Sequence, residues 1–265
     1  MRITSPTNPR VKALARLKER RAREESGLFL IEGARELGRA LAGGVEVVEA
    51  YCGKRLTPEE SRLAQRLLCT EVSEAVLKKL SSRENPAGLI AVARRPQRLL
   101  EAFTPPPAAL VVVAVGLEKP GNLGALLRSA DAAGAHAALV VGGVDPYSPQ
   151  VIHNSTGAVF SLPTFTAEET AVWAWLAQQR IPLVATSPQA GKTYWEADLK
   201  GPVALALGPE HEGLGPGWLE RAALCVRVPM RGQADSLNVA VTAALVLYEA
   251  LRQREALGAQ ERYRR

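Results

Sequence analysis

The chain of 265 residues has only three cysteines and three histidines, and no run of 18 apolar residues. Each scarcity removes a class of function. Without a long apolar run there is no candidate membrane span, and the first 25 residues lack the apolar core of a secretory leader, so a cytoplasmic protein with no membrane partner is expected. Cys52, Cys69 and Cys225 are far apart and form no CxxC pair, which points to plain thiols and away from a zinc site or a disulfide framework. Glu210-His211-Glu212 juxtaposes metal-ligand types, but adjacent side chains do not easily converge on one ion, so no metal is expected. What remains, 47% hydrophobic and 23% charged residues, is ordinary globular composition. The length suits one large domain or two smaller ones.

The net charge of +6 hides an asymmetry: residues 1–100 hold 20 Lys and Arg against 12 Asp and Glu. The density peaks in residues 1–23, where Arg2, Arg10, Lys12, Arg16, Lys18, Arg20, Arg21 and Arg23 face the single acid Glu19. A solvated helix face and an organellar transit peptide both account for such a stretch. An RNA-contacting arm is the favoured reading, because clustered cations attract a polyanion, and it makes Arg10, Lys12, Arg16, Lys18, Arg20, Arg21 and Arg23 the RNA-binding candidates.

Apolar periodicity lapses around RRPQRLLEAFTPPP (94–107), which reads as a linker. It divides the chain into an N-terminal domain over 1–95, a linker over 96–107 and a second domain over 108–265. Ahead of it, helices are expected at 8–23, 34–44, 58–68 and 73–80 and strands at 28–33, 45–52 and 87–93, a small α/β domain. Behind it come continuously apolar strands at 109–116, 137–142, 181–187, 202–208 and 224–230, alternating with helices at 122–133, 148–158, 168–180, 216–223 and 236–253. That alternation predicts an α/β fold with a mainly parallel sheet, buried on both faces.

Three segments in the second domain carry candidate chemistry. In NLGALLRSADAAG (122–134) Asn122 stands where an N-cap would be and Gly134 where the helix would close, while Arg128 has no capping role and lies near the sheet's carboxyl ends. In ALALGPEHEGLG (204–215) Gly208 ends a strand, where a glycine lets a flat ligand approach the backbone. In MRGQADSLNVAVTAALVLYEALR (230–252) Asp235 or Ser236 would serve as N-cap, which leaves Asn238 unexplained. AGKT (190–193) imitates the end of a phosphate-binding loop, but the pattern requires glycine at 186 and Thr186 is there. Thr186, at a strand end, is instead a candidate for a ligand pocket.

These three segments, in this order, resemble motifs 1, 2 and 3 of the SpoU (TrmH) branch of the SPOUT methyltransferases, which carry a methyl group from S-adenosylmethionine to a ribose 2′-hydroxyl of RNA. SPTNPRVKALARLKERRAREESGLFLIEG with NPAGLIAVARRP resembles the ribosomal-protein-like substrate-binding domain of the family's ribosomal-RNA members. The resemblance implies a C-terminal trefoil knot, S-adenosylmethionine as cofactor, and a homodimer through the C-terminal helix. The site residues it implies are Asn122, Arg128, Glu210, Ser236 and Asn238 at the reacting centre. Gly208, Val228, Met230 and Leu237, with Thr186, would line the cofactor pocket. Large-subunit ribosomal RNA is the expected substrate, with transfer RNA the alternative and a non-catalytic RNA-binding or ribosome-assembly factor the rival. The family assigns the hydroxyl proton to the arginine, but a guanidinium normally stays protonated and donates. Arg128 as base, and Arg128 as phosphate anchor and alkoxide stabiliser, are both open from sequence.

Overall fold

The computed structural model describes the backbone of residues 2–263 and the side chains of residues 2–256. It comprises two compact units, Met1–Gln97 with Asp145–Ser161, and Arg98–Val144 with Leu162–Arg265.

The basic N-terminal stretch forms two helices where one was expected. α1 (Pro9–Ala15) opens on Asn8, whose side chain accepts from the Arg10 amide, with Pro9 in its first turn. A 3-10 turn at Arg16–Lys18 and an extended Glu19 separate it from α2 (Arg20–Ser26), which Gly27 closes at φ 66°. The break has a cause in Arg23, whose Nη1 donates to the carbonyls of Leu17 and Lys18 at 3.0 and 2.8 Å. A continuous helix would have given those carbonyls to backbone amides one turn on.

β1 (Leu28–Glu32), α3 (Ala34–Ala42), β2 (Val47–Cys52), α4 (Pro58–Arg66), β3 (Thr70–Glu71), α5 (Glu74–Leu80) and β4 (Leu89–Arg94) complete this part of the chain. The sheet order is β1-β4-β2-β3, with β4 antiparallel to β1 and β2. Val11, Leu14, Leu17, Leu30, Val76, Leu80, Ile90 and Val92 form the core beneath it. The reading of plain thiols is corrected here, since Cys52 and Cys69 form a disulfide. Their separation of 17 in sequence carries no pairing information, whereas the parallel pairing of Tyr51 with Thr70 and Cys52 with Glu71 brings the residue before β3 beside the end of β2.

In the second unit β5 (Leu110–Val115), α6 (Pro120–Ala132) and β6 (Ala137–Val141) follow in turn. The chain then leaves it, and α7 (Pro149–Asn154) and α8 (Ala158–Ser161) belong to the first unit. The single helix expected at 148–158 is interrupted by Thr156 and Gly157, at φ 54° and 84°. Gly157 lies against α3, where a Cβ would come within 3.2 Å of the Glu36 backbone. A buried ion pair fixes the segment, Arg23 Nε to Asp145 Oδ2 at 2.7 Å with both side chains 3% exposed.

β7 (Thr164–Thr166), α9 (Glu169–Gln179), β8 (Leu183–Thr186), β9 (Lys192–Thr193), β10 (Val203–Leu207), α10 (Pro216–Arg221), β11 (Leu224–Arg227) and α11 (Val239–Tyr263) close the second unit. The seven strands run β7-β6-β5-β10-β8-β11-β9, and every pairing between them is parallel. The apolar runs fill the interior strands as expected, while β7 and β9 are short edge strands that no apolar run announces. Part of the expected linker is packed: Leu100 is buried, and Phe103 lies against Phe165 and Trp175, whose Nε1 donates to the Phe103 carbonyl at 3.1 Å. At β5 the order reverses, with β6 on one side and β10 on the other, and crevices for ligands form outside the carboxyl ends of strands at such a point.

Candidate active site

The loop after β5 sets the first side chains. Gly116 turns it at φ 62° with its amide on the Val141 carbonyl at 2.8 Å, and the buried Leu117 accepts from the Val144 amide at 2.8 Å. α6 therefore opens at Pro120 with Lys119 as N-cap, and Asn122 sits inside the first turn, free of the capping role expected of it. At α11 the cap is Asn238, in place of the expected Asp235 or Ser236. Its Oδ1 accepts from the Ala240 amide at 3.0 Å, and its carbonyl accepts from the Thr242 amide at 2.9 Å.

Capping fixes which way the Asn238 amide faces, because Oδ1 is committed to the helix and Nδ2 must point away from it. Nδ2 donates to Asn122 Oδ1 at 2.9 Å and to Glu210 Oε1. Lys119 Nζ donates to Glu210 Oε2 at 3.0 Å. The Lys119 ammonium, first of all, holds the Glu210 carboxyl below the usual carboxylate range, with Asn122 and Asn238 adding to it and burial opposing. A carboxylate so stabilised is a weak base at neutral pH. Because its folded-state pKa is depressed, its contribution is complete at neutral pH and is lost only as the pH falls through that lowered value. Lys119 is the member of this network that the sequence reading did not single out, and a lysine in a loop carries no local signal of such a partner.

Beside the network lies a cavity of about 280 Å³ at the carboxyl ends of the adjacent strands β10, β8 and β11. It is lined by Thr186, Gly208, Glu210, Val228, Met230, Ser236 and Leu237, along with His211, Leu214 and Val226. Thr186 Oγ1 donates to the Ala206 carbonyl at 3.2 Å, which fixes it at the rim. Gly208 has a structural reason to be glycine in addition to the expected ligand approach. A Cβ there would stand 2.4 Å from the carbonyl group of Gly213 and 2.6 Å from the Leu214 nitrogen, so the loop that carries Glu210 folds back onto it. Glu210 alone belongs to both the network and the cavity lining. Arg128 stands apart, exposed on α6 with no hydrogen bond or ion pair from its side chain among the described residues.

The basic candidates of the N-terminal stretch separate into kinds. Arg23 is removed from the RNA-binding set, because it is buried and bound to Asp145, Leu17 and Lys18. Arg10 pairs with Glu49, Arg20 with Glu24 and Arg21 with Glu25. Lys12, Arg16 and Lys18 are exposed, and the Lys18 ammonium is pushed down by partial burial and by the nearby Lys79.

Comparison with known proteins gives two family matches: the SpoU rRNA Methylase family over residues 109–248 and the MRM3-like substrate binding domain over residues 8–91. A 23S rRNA (uridine(2479)-2′-O)-methyltransferase of Streptomyces viridochromogenes is 34% identical over 268 residues, covering 96% of this chain and 92% of the relative. A crystal structure of an RNA 2′-O ribose methyltransferase superposes with a TM-score of 0.87 at 64% identity, over 96% of this chain and 100% of the other. The SpoU methyltransferase AviRb from Streptomyces viridochromogenes, in complex with the cofactor AdoMet, has a TM-score of 0.87 at 32% identity, over 94% of this chain and 98% of its own.

Proposed function

The chain belongs to the SpoU rRNA Methylase family, and from that premise we propose that it methylates a ribose 2′-hydroxyl of 23S ribosomal RNA, with S-adenosylmethionine as cofactor. The observation that carries the reading is that Glu210 joins the cavity to the paired asparagines at two helix N-termini. The cavity suits the cofactor. Leu214, Val226 and Leu237 offer apolar contact for a flat base, backbone groups at the ends of β10 and β11 are at hand, and Glu210 supplies negative charge. Thr186, Gly208, Val228, Met230 and Leu237 would hold it. When bound, it supplies an electrophilic methyl group on a sulfonium.

The protein's part is then positioning and charge. In-line transfer to a hydroxyl gains most from holding the reactants collinear, and the network of Asn122, Asn238 and Glu210 gives that end of the cavity a fixed shape. Glu210 is already committed to hydrogen bonds from Asn238 and Lys119, so as the methyl–sulfur bond breaks and the methyl–oxygen bond forms the hydroxyl proton would pass to solvent water. Arg128, unpaired and exposed, is assigned to the RNA, where a guanidinium that stays protonated anchors a phosphate and stabilises the developing alkoxide. Ser236 is exposed at the cavity edge. The trefoil knot is carried over from the family as part of this reading, and so is a cytoplasmic location, where the ribosomal substrate is. We take residues up to Gln97, with Asp145–Ser161, as the RNA-binding unit and the rest as the methyltransferase unit.

Two copies of the chain pair, in this proposal, through the outer face of α11. Val239, Ala243, Val246, Leu247 and Ala250 are buried on its inner face, while Val241 and Tyr248 stand 48% and 50% exposed in a shallow groove with Tyr194, Ala244 and Leu245. Covering that face gains about 25 cal/mol for each Å² of apolar surface. The pairing also lets Arg128 of one copy serve the cavity of the other. Sedimentation is expected to give twice the chain mass of 28.4 kDa, and a mixture of Arg128→Ala and Asn238→Ala chains is expected to regain activity. The primary test is transfer of labelled methyl from S-adenosylmethionine to unmodified 23S rRNA, with the 2′-O-methyl group mapped afterwards. Cofactor binding without transfer to any rRNA would overturn the reading.

A further inference from the structure

Three loops meet at one end of the sheet in the first unit. β1 and β2 both run antiparallel to β4, with Glu32 opposite Ile90 and Cys52 opposite Leu89. The segments leaving β1 (33–36) and β2 (53–57) and the segment entering β4 (81–88) therefore lie at the same end. The last two touch: the Gly53 amide donates to the Gly88 carbonyl at 2.8 Å, and a Cβ on Gly88 would stand 2.5 Å from the Arg55 carbonyl.

Two buried carboxylates fix these loops from beneath. Glu32 accepts from the Ser81 hydroxyl and from the amides of Ser82 and Ala87 at 3.3 and 3.1 Å. Glu60 accepts from the Gly88 amide at 3.0 Å and from the Thr57 amide at 2.9 Å, so one carboxylate ties both loops together. Arg83 closes the set, its Nη2 donating to the Glu32 carbonyl at 2.6 Å. The 81–88 segment has no regular structure, yet its conformation is set before any ligand arrives, which lowers the ordering cost of binding.

The surface of this end is basic. Lys54 and Arg55 are exposed, with no hydrogen bond or ion pair from their side chains among the described residues. Arg35, on the first turn of α3, is 56% exposed but paired with the buried Glu36, so it is not one of these free cations. Lys79 is exposed near Lys18, whose ammonium is pushed down first by partial burial and then by this like charge. Glu59 and Glu84 are the exposed acids of these loops. The contrast with α2 decides the choice of surface, because Arg20 and Arg21 are each answered by a glutamate one turn on. Unanswered cations on a fixed backbone are suited to a polyanion, and their contacts read phosphate, not base.

We propose that this sheet end, with Lys54 and Arg55 on loops fixed by Glu32 and Glu60 and Lys79 on the last turn of α5, is the surface with which the unit grips the phosphate backbone of its RNA substrate. The inference rests on the reading as an rRNA methyltransferase and assigns the substrate contact within it. The test compares the full-length protein with a Lys54→Glu, Arg55→Glu double variant and an Arg20→Glu, Arg21→Glu double variant, using an unmodified 23S rRNA transcript. Both pairs are exposed, and circular dichroism checks that both variants fold. The loop variant is expected to bind the transcript at least about tenfold more weakly, with a salt slope shallower by about 2, while S-adenosylmethionine affinity and kcat at saturating RNA are kept. The α2 variant is expected to bind within about twofold of wild type. Loop-variant binding within twofold of wild type, or an equal loss in both variants, overturns the surface and leaves the enzymatic reading intact. If the wild-type protein itself neither binds nor methylates the transcript, the enzymatic reading falls and this inference with it.

Discussion

Replacing Gly208 by alanine tests the cavity at its tightest point. The new Cβ would stand 2.4 Å from the Gly213 carbonyl group, about 1 Å inside ordinary contact, and what it meets is backbone, which cannot rotate away as a side chain can. The Gly213–Leu214 end of the loop that starts at Pro209 must shift by that amount relative to Pro209. A 1 Å shift would take the Gly213-to-Pro209 hydrogen bond, now 2.9 Å, out of range, and with it the position of Glu210 under Asn238. Forced overpacking of this kind costs about 1–3 kcal/mol of stability. The functional loss should be larger, because a displacement of about 1 Å at a reacting centre can cost a factor of about 100 in kcat/KM. Gly121→Ala is the control: it lies in the first turn of α6 with open space where the Cβ would go, and should be neutral or stabilising by about 0.5–1 kcal/mol. Denaturant unfolding and calorimetric titration with S-adenosylmethionine measure both. A Gly208→Ala protein with wild-type cofactor affinity and an unchanged unfolding midpoint would refute the account of the loop.

Three further outcomes follow from named contacts. Arg128→Ala should abolish methyl transfer while leaving fold and cofactor affinity within about tenfold, since its exposed side chain makes no hydrogen bond or ion pair among the described residues; near-normal turnover would remove Arg128 from the site. Asp145→Asn leaves the buried Arg23 guanidinium without its charge partner and should destabilise by about 3–5 kcal/mol in thermal or denaturant unfolding, whereas Arg21→Ala, at an exposed pair, should cost under about 0.5 kcal/mol. Reduction of the Cys52–Cys69 bond, which closes a loop of 17 residues, should lower stability by about 3 kcal/mol, and the Cys52→Ala, Cys69→Ala protein should show no response to reductant.

The strands of the parallel sheet were legible because burial on both faces writes itself as continuous apolar runs such as Leu110–Val115 and Val203–Leu207, a property local to each segment. The three motifs were legible as a resemblance, and one polar residue of each, Asn122, Glu210 and Asn238, meets the others at the candidate site, whereas Arg128 stands apart. What each residue does there was not legible. Asn122 looked like a helix cap and Asn238 like an unexplained extra, whereas Asn238 is the cap and Asn122 its partner, because where a helix begins depends on Pro120 and on the loop that Gly116 turns. Gly208 looked like room for a ligand, and that it also makes room for Gly213 was not legible. The basic N-terminal run looked uniform, yet one arginine is buried and four others face acids, and of these partners Glu49, Glu71 and Asp145 are remote in sequence. Periodicity and composition act through neighbours within a few residues, so the sequence alone determined the fold class and the interior strands, but not the breaks in the helices or the edge strands β7 and β9. Which side chains meet, as Lys119 meets Glu210 or Cys52 meets Cys69, depends on contacts between segments far apart in the chain, and only the tertiary structure decides those.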